Sequence, residues 1–111
     1  MITGPIIAEI AALVGDPARA TMVSALLDGR ALTASELALA AQIRPQTAST
    51  HLAKLTEAGL LSMVRSGRHR HFRLASPTVV DMIDRIVAVA LAKRPRYRPA
   101  EIEVALRERG P

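Results

Sequence analysis

The sequence predicts a mainly α fold with a small β-hairpin, in the order α-α-α-α-β-β-α plus a short C-terminal helix. Three observations carry that expectation. Apolar residues recur at helical spacing through most of the chain, in runs that open on capping residues or proline and stop at glycine. Arg44-Pro45 cuts the centre with a tight turn. LLSMVR (60–65) and HRHFRL (69–74) are short extended runs joined by Ser66-Gly67-Arg68, the pattern of a hairpin.

Ile6, Ile7, Ile10, Leu13 and Val14 define a first helix over 5–14 that ends at Gly15. Asp16-Pro17 starts another, because Asp is a good N-cap and Pro suits the first helical position. Its apolar residues Met22, Val23, Leu26 and Leu27 run to Asp28-Gly29, a stop signal, and Ala31-Leu32 reads as a short extended link. Thr33-Ala34-Ser35-Glu36 fits a capping box, in which Thr33 caps and Glu36 reaches back. The helix it opens turns Leu37, Ala38 and Ala41 to one side and fades near Gln42. Arg44, preceding proline, is pushed out of helical geometry, so a turn of about three residues separates this helix from the next. Two short helices around a tight turn make a helix-turn-helix.

The second of those helices opens PQTASTHL at 45–52 and runs to Ala58, with Gly59 as its stop. At 100° per residue Ala48, Leu52 and Leu55 share the core face. The opposite face carries Gln46, Thr50 and Ala53, bordered by Thr47, Ser49 and Lys54. Short polar side chains crowded at the N-terminal end suit a helix that offers this end to base edges. Gln46, Ser49 and Thr50 are the expected base readers, and Thr47 and Lys54 the expected phosphate contacts. His51, toward the core edge, reads as a packing or backbone-bonded histidine. Solvated helix surface is the bland reading of the whole polar face.

In the second strand Phe72 and Leu74 point with Arg70 toward the helices, and His69, His71 and Arg73 point away. Helices followed by such a basic hairpin make a winged helix, and Arg65, Arg68 and Arg70 suit a wing that crosses the phosphate backbone. His69 and His71 have bidentate metal spacing but no third ligand, and Met22, Met63 and Met82 read as core filler. Ser76-Pro77 opens a last helix to about Ala92, whose stripe of Val80, Ile83, Ile86, Val87, Ala90 and Leu91 is broad for one small domain to cover. With Ile6, Ile10 and Leu13 of the first helix, Ile83, Ile86, Val87 and Ala90 form the expected dimer seam. Residues 1–93 are thus expected to be a winged-helix DNA-binding and dimerisation domain, and 94–111 a basic linker with a short C-terminal helix or tail.

Composition narrows the function. The 111 residues carry a formal charge of +5 with a sequence pI near 11.0, a balance that favours a polyanion. From Arg65 to Arg73 there are four Arg and two His without an acid. The absence of cysteine excludes disulfides, thiolate metal sites and thiol switches. No apolar run reaches the roughly 20 residues of a membrane span, and MITGPIIAEI is a poor signal peptide. A cytoplasmic protein without a membrane partner is expected. Ser49, Thr50 and His51 project in different directions from one helix and cannot form a catalytic triad, so no enzyme and no cofactor is expected.

In serial order, Gly15-Asp16-Pro17-Ala18-Arg19, Leu32-Thr33-Ala34-Ser35-Glu36-Leu37-Ala38, Ser49-Thr50-His51-Leu52, Glu57-Ala58-Gly59-Leu60-Leu61 and Gly67-Arg68 followed by Phe72-Arg73-Leu74 resemble the ArsR family of bacterial winged-helix transcriptional repressors. The likeness spans roughly 5–92. It implies a homodimer built from the helices at 5–14 and 77–92, and an inverted-repeat operator with each 45–57 helix in a major groove of double-stranded DNA. Many members release DNA on binding a metal or on thiol modification, and here the residues depart from that pattern. Glu36-Leu37-Ala38-Leu39-Ala40 stands where one metal site needs cysteines. Asp81 and Asp84 lack the histidines of the last-helix site, so no metal is expected. Gln42 replaces a turn glycine, which would cost about 1 kcal/mol if its φ is positive. The releasing signal is left open, a small-molecule effector between the first and last helices being the simplest. A winged-helix module that serves dimerisation or protein interaction without DNA is the competing reading.

Overall fold

A computed structural model describes residues 3–93. The expected basic linker and short helix at 94–111 lie outside the described residues. The elements are α1 (Gly4–Gly15), α2 (Pro17–Ser24), β1 (Leu32–Thr33), α3 (Ala34–Ala41), α4 (Pro45–Glu57), β2 (Leu61–Ser66), β3 (His69–Leu74) and α5 (Pro77–Ala92).

Local chemistry sets the helix starts. The Asp16 carboxylate accepts from the backbone N–H of Arg19 at 2.9 Å, and the Ser76 hydroxyl accepts from that of Val79 at 3.3 Å. Thr33 and Glu36 complete the reciprocal box, at 3.1 Å from the Glu36 N–H to the hydroxyl and 2.9 Å from the Thr33 N–H to the carboxylate. Each carboxylate is held below its ordinary pKa. For Asp16 the main cause is the Arg19 N–H; for Glu36 it is the Thr33 N–H, helped by the Thr33 hydroxyl. A depressed folded-state pKa makes the group stabilising above its unfolded value, and that contribution is lost as pH falls through the folded one. Thermal stability is therefore expected to fall as pH drops below about 4, less steeply in Asp16→Asn and Glu36→Gln. Melts from pH 6 to 2.5 that superimpose for all three proteins would contradict this.

The extended link is more than a link. Leu32–Thr33 forms a strand of its own, so the hairpin is the larger part of a three-stranded sheet ordered β1-β3-β2. Leu32 pairs with Phe72 and Thr33 with His71. The hairpin sits one residue later than expected in its first strand, 61–66 rather than 60–65, with Leu61 opposite Leu74 and Ser66 opposite His69. The turn is thus two residues, Gly67-Arg68, and Gly67 takes φ +61° as the first central residue of a hairpin turn.

The core gathers Met22 and Leu26 from the α2 region, Leu37 from α3, Leu52 and Leu55 from α4, and Phe72 and Leu74 from β3. Both helices of the helix-turn-helix end in the same way. After α3, Gln42 does adopt a left-handed conformation, φ +56°, and the N–H groups of Gln42 and Ile43 bond the carbonyls of Leu39 and Ala38. After α4, Gly59 takes φ +83°, and the N–H groups of Gly59 and Leu60 bond Thr56 and Leu55. In each case the following residue, Ile43 or Leu60, packs into the core and fixes the exit direction.

Two expectations about packing are corrected. Ile83, expected on the dimer seam, is buried in its own chain's core, because this part of α5 lies over the other elements; it has little surface to give a partner. Met63, expected as core filler, is 41 % exposed, because β2 runs out past the core at that point. Ile10, Leu13 and Val87 are half-buried, while Ile6, Ile86 and Ala90 are exposed.

Candidate nucleic-acid interface

α4 is held from one side only. Ala48, Leu52 and Leu55 are wholly buried, and every other residue from Pro45 to Glu57 except His51 and Thr56 is exposed. Gln46, Thr47, Ser49, Thr50 and Lys54 therefore all stand at the surface, on the face the periodicity assigns them. Thr50 has one commitment: its hydroxyl donates to the carbonyl of Gln46 at 3.2 Å, which leaves it free to act chiefly as an acceptor.

The wing continues this surface. Leu61/Leu74, Met63/Phe72 and Arg65/Arg70 are successive cross-strand pairs on one face of the hairpin, passing from core to open tip. Two arginines directly opposite each other repel. Arg65, Arg68 and Arg70 are all exposed and, among the described residues, no carboxylate lies within ion-pair distance of any of them. A polyanion along the tip would relieve that repulsion.

Between the wing, the start of α3 and the middle of α4 lies an open cleft of about 500 Å³. Ser49 of α4 and Arg68 and Arg70 of the wing meet there, so three of the expected contact residues share one concave surface. Ser35 and Glu57 also line it and were not singled out by sequence. Ser35 carried a usable signal, since the first turn of a helix leaves N–H groups unpaired beside a small hydroxyl. Glu57 carried none. His51, expected to pack or bond to backbone, is half-buried, and its Nδ1 instead lies 3.0 Å from a guanidinium nitrogen of Arg19. His69 and His71 stack edge to face at 6.5 Å, and no group of three or more His, Cys, Asp or Glu with metal-holding geometry occurs among the described residues. No described helix is long and apolar enough to cross a membrane.

A helix-turn-helix with its second helix outward, followed by a basic two-stranded wing, is a specific geometry, and residues 14–64 match the family described as a helix-turn-helix domain. The chain is a winged helix-turn-helix protein. It is 46% identical over 86 residues to YdfF of Bacillus subtilis (strain 168), an uncharacterized HTH-type transcriptional regulator; the match covers 78% of this chain and 38% of that relative, so the chain spans well under half of the relative's length. Its fold resembles the homodimeric winged helix-turn-helix DNA-binding domain of Mb0332 from Mycobacterium bovis, a possible ArsR-family transcriptional regulator, with a TM-score of 0.70, 23% identity, and coverage of 76% of this chain and 77% of that one. It also resembles the transcriptional repressor BigR from Xylella fastidiosa, with a TM-score of 0.69, 20% identity, and coverage of 78% and 88%. The winged helix that the sequence likeness to the ArsR family implied is the fold of this winged helix-turn-helix chain.

Proposed function

We propose that the chain is a DNA-binding transcriptional regulator of the ArsR type, a cytoplasmic homodimeric repressor that sets one α4 from each protomer into the major groove of an inverted-repeat operator. The observation that carries this reading is the one-sided anchoring of α4, with its apolar residues sealed and its short polar ones exposed beside an unpaired cationic wing. In this reading Gln46, Ser49 and Thr50 meet base edges. Thr47, Lys54, Arg65, Arg68 and Arg70 meet phosphates and set register without carrying sequence information. Residues 1–93 act as the DNA-binding and dimerisation domain. The homodimer is supported by the exposed apolar residues of α1 and α5 and by the homodimeric state of the Mycobacterium bovis neighbour. A small-molecule effector would release the DNA. The expected place for it was between the first and last helices; the open space that supports one is a cavity of about 470 Å³ between α1 and α4, walled by Ile10, Leu13, Arg19 and Lys54.

Gln46→Ala is expected to weaken binding to the best-selected duplex by about 1–3 kcal/mol and to relax the preference at one base position. Arg68→Ala should weaken selected and random duplexes alike and reduce the salt slope by about 1. Fluorescence anisotropy across a salt series measures both. Equal losses on random DNA for Gln46→Ala would overturn base reading, and unchanged binding in both variants would favour a protein-interaction module.

A further inference from the structure

Arg19 occupies a position that DNA contact does not explain. Its backbone N–H is the one that Asp16 caps, at 2.9 Å. Its side chain runs back to the end of α1, where Nε donates to the carbonyl of Leu13 at 2.6 Å and Nη2 to that of Ala12 at 3.4 Å. Those carbonyls sit in the last turn of the helix, where partners are missing and a cation is favoured. The remaining nitrogen, Nη1, reaches Nδ1 of His51 on α4 at 3.0 Å. One planar guanidinium therefore joins the C-terminus of α1 to the middle of the outward helix, 32 residues further along the chain.

The chemistry of this contact is directional. A guanidinium only donates, so Nδ1 must be the bare acceptor nitrogen of a neutral ring, and the ring proton must sit on Nε2. Nε2 faces Asp16, whose carboxylate oxygen lies 4.0 Å away. The ring is thus bonded to the arginine and lies beside the aspartate of the same α2 start. Its side chain is 18% exposed, too enclosed to serve as a base reader. Apart from the wholly apolar packing of Ala48, Leu52 and Leu55, this is the one side-chain hydrogen bond from α4 to another element among the described residues. Apolar packing resists separation of helices but only weakly resists their sliding or rotation, whereas a fixed fork of donors specifies an angle.

We infer that Arg19 is a positioning residue for DNA recognition, a latch that fixes the angle of α4 against α1 through His51. The inference rests on the proposed role of α4 in reading DNA. Because α1 also carries exposed Ile6 and Ile7, the latch places the reading helix relative to the helix expected at the dimer seam, so the spacing of two reading helices would depend on it.

The test pairs variants that keep or lose the acceptor. His51→Gln retains an oxygen that Arg19 can reach; His51→Leu does not, and neither adds or removes a full charge from the neutral ring. The probe is the best duplex that the wild-type protein selects from a random library, with a scrambled duplex of equal length as control. His51→Leu and Arg19→Ala are expected to lose about tenfold or more on the selected duplex, with His51→Gln close to wild type. On the scrambled duplex His51→Leu should match wild type, because phosphate contacts do not need the exact helix angle. The double variant Arg19→Ala/His51→Leu should be no worse than Arg19→Ala alone. Equal loss on both duplexes, or failure of His51→Gln to rescue, would overturn the latch. A second measurement does not involve DNA. Nitrogen NMR of the ring in the wild-type protein should show the proton on Nε2, and Arg19→Ala should release that preference. A wild-type protein that shows this tautomer but ignores every duplex would refute the DNA reading and leave the hydrogen bond intact; a ring with no preferred tautomer would refute the latch itself.

Discussion

Leu52→Ala is expected to lower the unfolding free energy by about 2–5 kcal/mol. Leu52 is 0% exposed and belongs, with Met22, Leu26, Leu37 and Leu55, to the largest fully buried side chains among the described residues. Truncation removes the transfer free energy of three carbons and leaves a cavity that helices fixed at their C-terminal ends by the left-handed Gln42 and Gly59 cannot readily collapse to fill. For a domain of this size total stability is of the order of 5–15 kcal/mol, so the loss is a large fraction of the whole. The consequence reaches function because Leu52 is at the back of the helix whose front carries Gln46, Ser49 and Thr50. Ala53→Ser, one residue along on the exposed face, should change stability by less than about 0.5 kcal/mol. Urea unfolding followed by circular dichroism separates the two; a loss under 1 kcal/mol for Leu52→Ala would mean that α4 is not anchored as described.

These two neighbouring positions show what was legible in the sequence. The alternation of buried and exposed residues along 45–57 follows from a 3.6-residue period, which needs no knowledge of the rest of the chain. The caps at Asp16, Thr33 and Ser76 are equally local, since each bond spans three residues. What was not legible depends on segments distant in sequence. β1 is two residues long and exists only because Phe72 and His71 are there to pair with it, some forty positions on. The Arg19–His51 bond has the same origin. The stripe on α5 was visible as a stripe, yet its division into a core part, Ile83, and an open part, Ile86, is decided by where the helix axis lies over the other elements. Met63 follows strand alternation correctly and still ends at the mouth of the cleft, because alternation gives the face of a residue and not how far the core extends beneath it. The expected contact residues of α4 and the wing could be named only separately; that Ser49, Arg68 and Arg70 share one cleft with Glu57 was not legible.

The open part of that stripe supports the other large effect. Ile86 is 47% exposed, Val89 58% and Leu91 45%, and α1 leaves Ile6 60% and Ile7 64% exposed. Apolar side chains of that size gain about 1.5–3 kcal/mol each from full burial, so a partner that covered them would be favoured. If the occupant is a second copy around a two-fold axis, each residue enters the seam twice, and so does any charge placed there. Ile86→Asp is therefore expected to dissociate the dimer while leaving the protomer folded, because Ile86 is not part of its core. Operator affinity should then fall by about 10²–10⁴-fold, the advantage of two linked reading helices over one, with binding to a half-site duplex nearly unchanged. Ile83→Ala should do the reverse, costing protomer stability first and association only through it. Sedimentation and anisotropy on full and half operators distinguish the two outcomes. An Ile86→Asp protein that still sediments with wild type and binds the full operator as tightly would place the seam on another face, and the paired-groove geometry proposed for α4 would have to be rebuilt from there.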